Sequence, residues 1–168
     1  MSISHTISVL VTNEVRVLSR IVDLFSGRGY NIESLTVAPK IDKNYSRVTI
    51  VTQGDDRVIE QINKQLNRLI PIIKVMDLPT GDAVETEMVL ARVYVTDETR
   101  AEIIKIADLC GARVLDITDK TYTLQLVGDD KQIRALGEML KPIGVKEFVR
   151  SGKVAISRGN QFSSINLE

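Results

Sequence analysis

Apolar positions along this chain keep two rhythms, one of short runs and one of three- and four-residue steps. Residues 7–11 (Ile7, Ser8, Val9, Leu10, Val11) form a short, mostly apolar run that predicts a buried strand. Thr12, Asn13 and Glu14 break it. From Val17 the period lengthens, and Val17, Leu18, Ile21, Val22 and Phe25 trace one face of an amphipathic helix. Gly27 and Gly29 stop that helix, as glycines near a C-terminus do. Residues 32–38 predict a second strand, 39–44 a polar turn, and 46–52, alternating and β-branched, a third strand. Gly54-Asp55-Asp56 precedes a helix with Ile59, Ile62, Leu66, Leu69 and Ile70 on one face. An aspartate at a helix start accepts free backbone N–H groups and suits the dipole. Pro71 ends the helix, and residues 72–78 make a fourth strand.

After Pro79-Thr80-Gly81-Asp82 the same order returns. Residues 87–95 read as a strand, 99–109 as a helix closed by Gly111, and 113–118 and 122–127 as strands around Asp119-Lys120. A helix over 130–140 is followed by Pro142, and 146–156 is extended. Gly54-Asp55-Asp56-Arg57 recurs as Gly128-Asp129-Asp130-Lys131, an offset of 128 − 54 = 74. At the same offset Thr49 meets Thr123, Ile59 meets Ile133, Leu66 meets Leu140 and Val75 meets Val149. Two readings stand: a duplicated unit, or two similarly capped helices. Both predict an α+β fold of two ferredoxin-like βαββαβ sandwiches in tandem, with helices on one face of each antiparallel sheet. The expected boundaries are a first domain at 1–78, a linker at 79–84 and a second domain at 85–159.

Composition narrows the function. With 22 basic and 22 acidic residues the net charge is zero, so the positive excess of a nucleic-acid binder is missing. RNA-recognition domains share this strand–helix order but stack bases on aromatics of the first and third strands. Residues 7–11 and 46–52 carry none, and the second half offers only Tyr94 and Tyr122 near strand ends. Cys110 is the single cysteine, which fits a reducing compartment, and no apolar run approaches membrane-span length; a cytoplasmic protein is the expectation. Cys110 lies in an apolar helical pattern and reads as a structural thiol. His5, the one histidine, reads as a solvated terminal residue. Gly27-Arg28-Gly29 follows a helix and not a strand, so it is no dinucleotide loop. No metal or cofactor is expected on this chain, and the shortage of catalytic groups points to a binding or regulatory role.

One turn suits a ligand. Between Val11 and Val17 a strand ends and a helix begins, and the first amides of a helix can bind a carboxylate. Asn13 can meet a polar group there, and Gly29 before Tyr30-Asn31 allows an unusual backbone angle.

The run Leu18-Ser19-Arg20-Ile21, then Leu24-Phe25-Ser26-Gly27-Arg28-Gly29-Tyr30-Asn31-Ile32-Glu33-Ser34-Leu35-Thr36-Val37-Ala38, closely resembles the ACT domain of acetohydroxyacid synthase (acetolactate synthase) small subunits. Ser46-Arg47, Glu60-Gln61-Ile62 and Lys64-Gln65-Leu66 are similar to the same family, as is the close Arg150-Ser151-Gly152-Lys153-Val154-Ala155-Ile156-Ser157-Arg158-Gly159. Only residues 160–168 look like an added tail. The resemblance implies a homodimer that binds a branched-chain amino acid, L-valine, where ACT domains meet. It also implies a separate catalytic large subunit carrying thiamine diphosphate, magnesium and FAD, which the small chain activates and makes sensitive to valine. The expected effector site is Asn13, Val15, Arg16, Val17, Leu18, Asn31 and Ile32: helix amides for the carboxylate, Asn31 for the ammonium, Val15, Val17 and Ile32 for the side chain. One residue departs from the family form Asn-x-x-Gly: Asn13-Glu14-Val15-Arg16 ends in arginine. Arg16 fills the space the glycine leaves, pairs with the ligand carboxylate, or swings into solvent. A free-standing amino-acid sensor is the alternative function.

Overall fold

The structure is a computed structural model and describes residues 3–79 and 81–159. The expected tail at 160–168 lies outside the described residues, as does Thr80 of the expected linker. The element order is β1 (Ile3–Thr12), α1 (Val17–Gly27), β2 (Ile32–Pro39), β3 (Tyr45–Gly54), α2 (Asp56–Leu66) and β4 (Ile72–Leu78). It continues with β5 (Ala83–Tyr94), α3 (Arg100–Cys110), β6 (Arg113–Ile117), β7 (Thr121–Gly128), α4 (Asp130–Leu140), β8 (Val145–Arg150) and β9 (Val154–Ser157). These form two antiparallel sheets, ordered β2-β3-β1-β4 and β6-β7-β5-β8, with β9 pairing to β5. Tandem ferredoxin-like sandwiches are therefore the fold. The chain divides into a first unit that runs to Glu85 and resumes at Lys153, and a second unit, Thr86–Gly152.

In the first unit the helix face of the sheet carries Ile7, Val9 and Val11 of β1 and Val48 and Ile50 of β3. Against them pack Val17, Ile21 and Phe25 of α1 and Ile59, Ile62 and Leu66 of α2. Phe25 meets Tyr30 edge-on, with ring centroids 6.0 Å apart, a geometry that adds about 0.5–1.5 kcal/mol beyond area burial. The helix α2 ends at Leu66, earlier than the apolar spacing predicts. Asn67 caps it, Leu69 packs from the following turn, and Ile70 lies outside the helix and is almost fully exposed.

The sheet's other face is closed from within the same unit. Thr6 Oγ1 donates to Glu85 Oε1 (2.5 Å), and Lys153 Nζ pairs with Glu85 Oε2 (3.2 Å). Thr36 Oγ1 donates to the Lys153 carbonyl (2.8 Å), and Leu78, Ala83 and Ala155 form a small buried cluster. A single extended stretch over 146–156 is thus two strands, β8 and β9. Gly152, at φ 84°, makes the break between them, a backbone angle that a Cβ disfavours.

In the second unit Val89, Ala91 and Val93 of β5 and Leu124 and Leu126 of β7 pack on α3 and α4. Tyr122 is buried in that core, which removes it as a stacking platform. Glu87, 4% exposed, accepts both Nε (3.0 Å) and Nη2 (2.5 Å) of Arg150 and the Gly152 amide (3.0 Å). Arg150 Nη2 also reaches Asp130 Oδ1 (3.2 Å), tying β5, β8 and α4 together. The glutamate hydrogen bonds hold the Arg150 guanidinium even more firmly protonated than usual.

The recurring Gly-Asp-Asp has the same job in both units. Asp55 caps α2 by accepting the Val58 amide (2.8 Å), and Asp129 caps α4 by accepting the Gln132 amide (2.8 Å) in a full capping box. The glycine before each cap makes room for the same position: a Cβ on Gly54 would sit 2.9 Å from Val58 Cγ1, and one on Gly128 2.6 Å from Gln132 Oε1. Capping thus accounts for the first aspartate of each pair; Asp56 and Asp130 stand in the first helical turn, where Asp130 pairs with Arg134 (2.7 Å) and Arg150 (3.2 Å).

Candidate functional site

The turn after β1 is fixed by main-chain bonds. The Thr12 amide donates to the Pro71 carbonyl (2.9 Å) and the Asn13 amide to the Asn44 carbonyl (2.7 Å). Asn13 Nδ2 donates to the Lys43 carbonyl (3.0 Å), so this side chain holds the β2–β3 turn against the β1–α1 turn. That partner was not legible from Asn13 alone, since 43–44 are separated from it by a helix and a strand. Arg16 then takes φ 75°, ψ 1°, the only non-glycine residue at positive φ among those described. Its carbonyl accepts Ser19 Oγ (2.9 Å) and the Arg20 amide (3.1 Å), starting α1.

Helix α1 begins unlike α2 and α4. No side chain caps it and its first turn holds no acidic residue. The Leu18 and Ser19 amides have no hydrogen-bond partner among the described residues. Open N–H groups at the positive end of a helix dipole attract a carboxylate. Around them Val15 is 92% exposed and Leu18 and the Arg16 side chain are also exposed, whereas Val17 is turned into the core. Ile32 likewise packs partly buried on that core. The apolar surface free at this turn is therefore Val15 and Leu18.

Asn31 stands elsewhere. It precedes Ile32, which pairs with Thr52, which in turn pairs with His5 at the opposite end of β1 from Asn13. Eight residues of strand, roughly 26 Å at about 3.3 Å each, separate the two levels. Within one chain, then, a single amino acid cannot touch both the α1 amides and Asn31. The Asn31 carbonyl accepts Thr52 Oγ1 (2.5 Å), and Gly29 takes φ 69° before it, the angle its position predicts.

The remaining candidate groups are structural. His5 is not a solvated terminal residue: β1 begins earlier than its apolar run and carries His5 into the sheet, with its side chain 15% exposed. Its Nδ1 lies 3.8 Å from Asp77 Oδ1, and its Nε2 is buried without a partner beside a cavity of about 320 Å³ lined by α2 residues. The strand period, extended two residues toward the N-terminus from Ile7, was the signal that could have found it. Cys110 is partly buried against the second core, and burial pushes its thiol up, away from a reactive thiolate. Among the described residues no group of three or more His, Cys, Asp or Glu side chains is placed to hold a metal, and no helix is long and apolar enough to cross a membrane.

Comparison with known proteins accords with this geometry. Residues 7–74 match the family described as AHAS small subunit-like ACT domain, and 86–159 match the family described as small subunit of acetolactate synthase. A probable acetolactate synthase small subunit of Archaeoglobus fulgidus is 44% identical over 157 residues, covering 94% of this chain and 98% of its own. The acetolactate synthase small subunit of Aquifex aeolicus is 46% identical, covering 92% and 81%. The crystal structure of the acetolactate synthase small subunit from Thermotoga maritima superposes with a TM-score of 0.87 at 32% identity, over 94% of this chain and 99% of that one. The chain therefore belongs to the family of acetolactate synthase small subunits, the regulatory and not the catalytic chains of that synthase.

Proposed function

We propose that the chain activates a thiamine-diphosphate-dependent catalytic subunit and confers feedback inhibition by L-valine, acting in the cytoplasm in valine, leucine and isoleucine biosynthesis. Thiamine diphosphate, magnesium and FAD belong to that catalytic partner. The observation that carries the effector reading is the uncapped start of α1, where the free Leu18 and Ser19 amides await an anion. The separation of Asn13 from Asn31 adds a requirement for two copies. The sheet has two edges, β2 and β4. Antiparallel pairing of β2 with β2 of a second copy brings the second copy's Asn31 to the Asn13 end of the first. Pairing through β4 leaves four strands, both copies of β4 and the second copy's β1 and β3, between Asn13 and the second copy's Asn31. The effector thus binds across a β2 homodimer, and its affinity is coupled to subunit geometry.

The test is reconstitution. Alone, with thiamine diphosphate, magnesium and FAD, the chain forms no acetolactate from pyruvate; mixed with its catalytic subunit it raises turnover, and valine reverses the rise. Robust turnover by the chain alone would overturn the reading.

The dimer has its own measurement. Val37 lies on the β2 edge, 44% exposed. Val37→Glu sets two like charges against each other across the two-fold, which should raise the dimer dissociation constant at least about tenfold. Light scattering at micromolar concentration should register a dimer for the wild type, and a stable wild-type monomer rejects this assembly.

Arg16 permits a separate check. Holding a non-glycine residue in the left-handed region costs roughly 1–2 kcal/mol, partly offset by the unfolded-state entropy that glycine adds. Arg16→Gly should raise stability by about 0.5–1 kcal/mol in a urea titration. If Arg16 blocks the effector, the same variant strengthens valine binding; if it pairs with the carboxylate, the variant weakens it. Calorimetry decides, and no valine heat in either protein removes the site.

A further inference from the structure

On the helix side of the first unit, a groove of about 450 Å³ runs between α1 and the end of α2. Arg20, Arg28 and Arg68 stand around it, and Leu24, Leu69 and Gly27 also line it. Leu24 and Leu69 rest on the core beneath. Among the described residues none of the three arginines has a carboxylate within ion-pair reach, although Asp23 is in the same lining. Among the described residues their one side-chain hydrogen bond goes to a neutral acceptor, Arg28 Nη2 to Gln65 Oε1 (3.0 Å).

The local fold does not explain this charge. Arg28 caps the C-terminus of α1, where a cation suits the dipole. Arg20 lies in the opening turns of α1, where it does not, and it follows Arg16 by four residues, a repulsive like-charge spacing. A groove with an apolar floor and an uncompensated cationic rim fits a segment that brings both apolar side chains and carboxylates. Its length excludes a single small anion: Arg20 and Arg28 are eight residues apart, about 12 Å of helix axis. A continuous polyanion is disfavoured too, because the exposed side of α2 presents Asp55, Asp56 and Glu60.

We propose that this groove is where an acidic segment of the catalytic subunit docks, an inference that rests on the activating role proposed above. Gly27 keeps the groove open, since a Cβ there meets nothing within 4 Å.

The experiment titrates the full chain into its catalytic subunit and reads the concentration that half-saturates activation, at about 50 mM and about 300 mM salt. Arg20→Glu with Arg68→Glu should raise that concentration about tenfold or more at low salt and flatten its salt dependence. Gly27→Gln, which fills the groove without altering charge, should also raise it. Dimer mass, melting temperature and valine heat, measured alongside, should stay at wild-type values for both variants, which separates docking from folding. Half-saturation within twofold of wild type in the charge-reversed chain overturns the proposal. So does binding of inorganic phosphate at the groove that leaves activation unaffected. If the wild type fails to activate at any concentration, the activating role itself fails, a result distinct from either.

Discussion

Arg150→Ala should cost the second unit about 3 kcal/mol, because it leaves the Glu87 carboxylate buried with only the Gly152 amide for company. Three links set the size. Glu87 is 4% exposed but Arg150 is 42% exposed, so water takes up part of the guanidinium's place and the cost stays at the low end of that for breaking a buried pair. The contact is two-pronged, through Nε and Nη2, the strong form of a charge-assisted pair. Arg150 also carries Asp130, so its removal loosens the first turn of α4 as well. For a unit of this size the loss corresponds to roughly 12–24 °C in melting temperature. Arg150→Lys keeps the charge but not the fork and should recover only part of it. A double-mutant cycle with Glu87→Gln, read by calorimetry, isolates the pair. A drop below about 1 kcal/mol would mean that the pair behaves as an exposed surface bridge.

Asn31→Ala should weaken valine binding by about ten- to a hundredfold, the roughly 1.5–3 kcal/mol that one hydrogen bond to a charged group contributes. The fold should not notice, because the bond that Asn31 makes to Thr52 uses its main-chain carbonyl. If the β2 dimer is the site, a heterodimer of Asn31→Ala and wild-type chains keeps one intact pocket of two, and calorimetry should return half the tight sites. Unchanged valine affinity in the homodimeric variant would remove Asn31 from the site.

Much of this was legible in the sequence, for identifiable reasons. Elements whose limits are marked by local chemistry fall where their residues place them: α4 starts at the Asp129 cap and stops before Pro142, and β4 opens after Pro71 and spans 72–78. Elements limited by distant contacts do not. Leu69 and Ile70 continue the apolar spacing of α2, but the helix has already closed at Leu66, and only the tertiary packing of Leu69 distinguishes the two. Val17 and Ile32 are apolar beside the ligand turn and could line it equally well on paper; rotation about α1 and the pleat of β2 send them to the core instead. Gly152 is one glycine in an extended run, and nothing nearby announces that the chain turns there from one unit to the other. The distance between Asn13 and Asn31 is a property of strand register, which no single segment encodes.

The return of Lys153 and β9 to the first unit makes that unit discontinuous in time as well as in sequence. At synthesis rates of about 5–20 residues per second, the strands through β4 leave the ribosome roughly 4–15 s before the residues that close their outer face. Through that interval Thr36 lacks the Lys153 carbonyl and Glu85 lacks the Lys153 ammonium, and the sheet offers an uncovered surface to chaperones or to other nascent chains. A stop codon that removes only the last sixteen residues would make that interval permanent. The damage from a late truncation would then fall on the first-made half of the molecule, far along the chain from the lesion.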